Sequence, residues 1–147
     1  MTTEARIRIR QIDGYRFIVD FGAAIPDLLV DEAAPIGDDA GPHPEQLLVA
    51  SVANCLCASL VFALGKYKQD AGDVQAEASC RVARNAENRL RVEGIDVAIT
   101  LGASADEMPR VDSAISQFQR FCTVSESVQT GVPVSVAVRD REGRLLT

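Results

Sequence analysis

The chain of 147 residues carries 47% hydrophobic and 24% charged side chains, enough apolar material for one soluble domain with its own core and no need of metal or structural disulfides. A formal charge of −6 without clustered Lys and Arg argues against nucleic acid or anionic membrane as a partner, because phosphate binding needs concentrated positive charge. Met1 to Arg6 leads straight into an alternating segment, without the apolar stretch and small-residue cleavage site of a signal peptide, so the expected location is cytoplasmic.

Ala5 to Gln11 alternates Ile7 and Ile9 with Arg6, Arg8 and Arg10, and Tyr15 to Phe21 alternates Tyr15, Phe17, Val19 and Phe21 with more polar positions. Asp13-Gly14 between them predicts a hairpin closed by a type I′ turn, since Asp-Gly accepts positive φ at little cost. From Gly22 to His43 the chain is loop-like and acidic, around one short strand at Leu28-Leu29-Val30. A loop of this length is often functional.

Pro44 suits the first turn of a helix, where its missing N–H has no partner anyway. Glu45 to about Lys66 is apolar nearly all round, which predicts a helix packed on several sides, by a sheet and by another subunit. Ser51, Asn54 and Ser59 interrupt its apolar run, favouring a buried helix over a membrane span. Alternation returns at Val74, Ala76, Ala78, Cys80 and Val82, followed by a turn at Asn85 to Asn88. In the next strand the apolar positions change parity at Glu93-Gly94, which predicts a bulge. Pro109 opens a second helix with Val111, Ile115, Phe118 and Cys122 on one stripe, and Thr123-Val-Ser-Glu126 has the capping-box form that starts a short helix after it. Val132, Val134, Val136 and Val138 make a final strand. With no repeat or linker, the chain reads as a single domain over 1–147, α+β with an antiparallel sheet.

Four cysteines, at 55, 57, 80 and 122, contain no CxxC, so neither a thioredoxin-like motif nor a zinc ribbon is indicated. His43 is the only histidine, and a metal site has no clustered ligand spacing to support it. Cys57 is about 200° around a helix from Cys55 and cannot bond to it; Cys57 and Cys80 both read as core. Cys55 shares a face with Ser51 and Ser59, one turn away on either side, and reads either as a small core residue or as a reactive thiol. Cys122, at the start of a helix, faces unpaired N–H groups that favour its thiolate. Cys55 lies about eleven residues from its own helix start, beyond the reach of that dipole, so its activation must come from elsewhere.

The segment His43-Pro-Glu-Gln-Leu-Leu-Val-Ala-Ser-Val-Ala-Asn-Cys55 resembles the NPEELL…A…C helix of the OsmC/Ohr proteins, and Phe121-Cys122-Thr-Val-Ser125 resembles that family's CPVS segment. The resemblance implies an OsmC-like fold, antiparallel sheets with a long buried central helix, in an intertwined homodimer with its sites at the interface. It further implies thiol-dependent reduction of organic hydroperoxides and hydrogen peroxide, with no cofactor and with an external dithiol or lipoyl-type reductant. By position Cys55 would be the peroxidatic thiol, Cys122 the resolving thiol, and Glu45 the carboxylate at the helix start. Ten residues of helix span ~15 Å, so Glu45 would act on Cys55 through an intermediary or across the dimer. The chain departs from the family in three places: His43 replaces Asn, Thr123 replaces Pro, and no arginine occurs between Arg16 and Arg81 to match the N-terminal arginine of the family's peroxidases. Arg16 and Arg120 are the candidate substitutes. The expected function is a thiol peroxidase; the alternatives are a dimeric small-molecule-binding protein and a thiol redox sensor without turnover.

Overall fold

Alternation in the first twenty residues folds, as expected, into a hairpin, β1 (Arg8–Asp13) against β2 (Arg16–Asp20). Its turn differs from expectation. Asp13 is the last residue of β1, paired with Arg16, and only Gly14 has positive φ (46°), as the first central position of a type II′ turn requires. The Asp13 carboxylate takes both arms of the Arg16 guanidinium, at 2.7 and 2.9 Å, which closes the hairpin one residue later than the Asp-Gly signal suggests. The short strand β3 (Leu28–Val30) pairs antiparallel with β2.

In the computed structural model, which describes residues 1–147, the chain divides into two compact units, Met1–Leu47 and Leu48–Thr147. The first holds the β1-β2-β3 sheet and a loop organised by Asp31. That buried carboxylate accepts the backbone N–H groups of Glu32, Asp38 and Ala40 at 2.8–3.1 Å. Burial works to raise its pKa, and the three N–H donors with Arg16 outweigh it, leaving Asp31 below the ordinary range. The acidic loop is thus wrapped around one of its own carboxylates.

Helix α1 (Pro44–Lys66) starts at Pro44 as expected, and from Leu48 onward it is the helix on which the second unit is built. The helix is long and apolar enough to cross a membrane, yet Val49, Val52, Leu56, Ser59, Leu60, Ala63 and Leu64 are buried in the core. They share it with Ile95, Val97, Ile99 and Leu101, the inward positions of one strand, and with Met108, Phe118 and Val138. The opposite stripe of α1, including Val61 and Phe62, is exposed.

Strands β4 (Val74–Arg84) and β5 (Leu90–Leu101) form a long antiparallel ribbon, and its register slips where Arg81 pairs with Gly94 and Val82 with Val92. Glu93 is the extra residue, so the bulge sits where the change of parity placed it. β6 (Val134–Arg139) joins β5 in parallel, which corrects the expectation of a purely antiparallel sheet. The segment after Leu101 provides the long crossover that parallel pairing needs.

Of the two helices expected in that crossover, the short one after Cys122 is present and the first is broken into pieces. The crossover runs through a 3₁₀ turn (Ala105–Glu107), α2 (Val111–Ile115), another 3₁₀ turn (Phe118–Phe121) and α3 (Thr123–Val128). The break lies at Ser116 and Gln117, where bonding shifts to i→i−3, as in Gln117 N–H to Ala114 C=O and Arg120 N–H to Gln117 C=O, both 3.1 Å. The Ser116 hydroxyl also bonds back to the Ser113 carbonyl at 3.0 Å. The stripe survives this break, since Val111, Phe118 and Cys122 are all buried.

Candidate active site

Cys122 sits at the joint between the second 3₁₀ turn and α3, with extended backbone. It is the N-cap, and its sulfur accepts the Ser125 N–H at 3.3 Å. The capping box expected from Thr123 is therefore not what starts α3; a thiol does the work of the usual hydroxyl. Cys122 is completely buried, whereas Cys55, halfway along α1, is partly exposed.

These two thiols meet. Neither is in a disulfide, and the Cys122 S–H donates to the Cys55 sulfur. Burial alone would raise the pKa of Cys55, but hydrogen bonds from Cys122, from the N–H groups of Val124 and Ser125, and from the Ser59 hydroxyl reverse that and leave it below the ordinary thiol value. Cys122 moves the other way, raised by burial and by its bond to Cys55. The expected acidification of Cys122 by the first turn of α3 is present, through the Ser125 N–H, but burial and the bond to Cys55 outweigh it, and the net lowering falls on Cys55. Of the two sulfurs, Cys55 is the more acidic and Cys122 the less.

The groups acting most on Cys55 are neutral. Arg16 is held by Asp13, with Asp38 and Asp31 adding attraction, and Arg120 is exposed. Glu45 lies in the first unit, where its own N–H and His43 Nδ1, 2.9 Å away, hold its pKa below the usual carboxylate value. Cys57 is raised by burial and packs against the core, as does Cys80.

One turn beyond Ser59, Phe62 meets the ring of Phe121 edge-on, with centroids 5.4 Å apart and an angle of 78°. The Lys66 ammonium lies over the Phe121 ring, 5.1 Å from its centroid. Both rings are substantially exposed, and because Phe121 precedes Cys122 they form an apolar rim beside the thiol pair. Sequence reasoning missed this rim and the roles of Ser59, Val124 and Ser125. The i,i+4 spacing of Cys55 and Ser59 was the one local signal available for them.

The chain is thus an α+β protein with a partly exposed thiol midway along its central helix and a second, buried thiol that caps a short helix. The model of the OsmC-like protein family matches residues 37–137, and the chain belongs to that family. A putative osmotic stress induced and detoxification response protein from Psychrobacter arcticus is similar in structure, with TM-score 0.77 and 17% identity over 95% of this chain and 98% of that one. An OsmC-like protein from Mycoplasma pneumoniae gives 0.76 at 12% identity, covering 95% and 99%. The organic hydroperoxide resistance protein OhrB of Bacillus subtilis gives 0.69 at 18% identity, covering 93% and 98%. No curated protein matches the chain in sequence.

Proposed function

We propose that the chain is a cytoplasmic, homodimeric thiol peroxidase of oxidative-stress defence, reducing organic hydroperoxides and hydrogen peroxide through Cys55 and Cys122. The observation that carries this reading is the pairing of the two thiols, in which Cys55 is lowered and Cys122 raised from the ordinary thiol value. The Cys55 thiolate attacks the outer oxygen of ROOH; the S–O bond forms, the O–O bond breaks, and the leaving alkoxide takes the Cys122 proton to become ROH. Cys55 is then a sulfenic acid and Cys122 a thiolate beside it. Attack of Cys122 on the Cys55 sulfur forms the disulfide and releases hydroxide, and an external dithiol returns both thiols while becoming a disulfide itself. In this reading Glu45 is the family's helix-start carboxylate, kept ionised by its own N–H and by His43.

The Phe62 and Phe121 rim supports apolar peroxides as substrates. Exposed Ile7, Ile9 and Ile12 in the first unit, and exposed Val61 and Phe62 on α1, support burial against a second copy. The test is turnover of cumene hydroperoxide with a dithiol. Cys55→Ser abolishes it, and survival of activity in that variant would sink the assignment.

A further inference from the structure

We propose that Lys66 is a specificity residue, its ammonium binding the carboxylate of an apolar ligand whose chain lies along the Phe62 and Phe121 rings toward Cys55. That the ligand is a carboxylate-bearing organic hydroperoxide rests on Cys55 being the attacking thiol. Cys55, Phe62 and Lys66 fall within about 40° of one another around α1 and so share one stripe of the helix. Lys66 lies about 16 Å along the axis from Cys55, too far to touch the sulfur. Its ammonium is turned back up the stripe, 5.1 Å from the centroid of Phe121, the ring that Phe62 meets edge-on at 5.4 Å.

A lysine in the last turn of a helix has an ordinary reason to be there, since the carbonyl end of the helix favours a cation. That reason calls neither for a ring beneath the charge nor for rings left open to solvent, yet Phe62 is 58% exposed and Phe121 41%. Lys66 also has no carboxylate partner, in a chain of 21 acidic and 15 basic residues whose ion pairs are made by arginines and His43. A free ammonium over an exposed aromatic pair puts a charge at one end of an apolar track, and an anion with an apolar tail uses both. One ammonium suits the single charge of a carboxylate. The tail must then span the interval back to Cys55, on the order of 10 Å once the lysine stem is allowed for, a chain of about eight carbons.

Octanoate and octanamide, unreactive and alike but for the charge, read this site without peroxide turnover. In the full reduced protein at neutral pH, octanoate is expected to protect Cys55 from iodoacetamide, followed by peptide, at a concentration about three- to fivefold lower than octanamide does, and added salt erodes the difference. Lys66→Met keeps the apolar stem and removes the preference; Lys66→Arg keeps it. In turnover, Lys66→Met raises the KM for 8-hydroperoxyoctanoate by about the same factor and leaves that for cumene hydroperoxide unchanged. Equal protection, or none, by the two probes in the wild type would overturn the proposal, as would a preference that survives Lys66→Met in a variant that melts like the wild type. A charge preference that Lys66→Met removes, in a protein that consumes no hydroperoxide, would keep the carboxylate site and remove the peroxidase reading.

Discussion

Hydrogen bonds from neutral groups stabilise the Cys55 thiolate at short range only, and salt barely screens them. Three outcomes follow at this one residue. The rate of Cys55 oxidation by an organic hydroperoxide rises with pH and levels off below the free-thiol range near about 8.5, as stopped-flow measurement with cumene hydroperoxide will show. The same rate changes little between low and high ionic strength, whereas a thiolate held by an unpaired arginine slows as salt is added. Removing the thiol donor with Cys122→Ala raises the Cys55 pKa and leaves its sulfenic acid unresolved, so dimedone labelling at Cys55 after one equivalent of peroxide increases severalfold over wild type. Of these groups only Ser59, one turn from Cys55, was legible locally. Val124 and Ser125 lie some seventy positions along the chain from Cys55, and only the fold of the crossover carries their N–H groups to it.

Periodicity identified the strands, the long helix and the Glu93 bulge because each is imposed by a local alternation of buried and exposed positions. It failed between Ser113 and Cys122, where the apolar stripe continues through backbone that is only partly α-helical. A stripe of large apolar residues at three- and four-residue intervals suits a 3₁₀ turn as well as a helix when the run is short. The glycines separate two kinds of tolerance in the sheet. A Cβ on Gly102 would lie 2.5 Å from the Asp73 nitrogen, a backbone atom, whereas on Gly94 it would meet the movable end of Arg81. Gly102→Ala therefore destabilises by about 1–3 kcal/mol and Gly94→Ala by much less, measured by urea denaturation. At the rim, the proposed peroxidase activity predicts that Phe62→Ala raises the KM for cumene hydroperoxide several-fold and leaves that for hydrogen peroxide nearly unchanged, since only the organic substrate has a ring to lay against Phe121.

For the whole molecule, two buried carboxylates tie long segments together. Asp140 accepts N–H groups from Ala105, Glu142 and Arg144 at 2.9–3.0 Å, and Asp31 does the same for its loop. The bond from Ala105, with those of Arg144 and Glu142, holds Asp140 below its ordinary pKa despite burial. A depressed carboxylate binds fewer protons folded than unfolded, so its stabilisation is complete above the unfolded pKa and disappears as pH falls through the folded one. The thermal midpoint is therefore flat near neutrality and falls below about pH 4, and Asp140→Asn lowers it at neutral pH and weakens that acid dependence. Association tests the other global expectation. Light scattering should return twice the 15.8 kDa chain mass, and Ile9→Glu, at a position 56% exposed in the single chain, should return one.

The sulfur that caps α3 is also the sulfur that the proposed cycle consumes. A disulfide sulfur is a poorer acceptor than a thiol in contact with a thiolate, so each oxidation would loosen the first turn of that six-residue helix, and each reduction would tighten it. The Ser125 amide becomes a built-in reporter of redox state. Its hydrogen-exchange protection would drop on oxidation while that of the β4 and β5 ladder stays constant, giving a catalysis-free measure of how much of the protein is in the disulfide form.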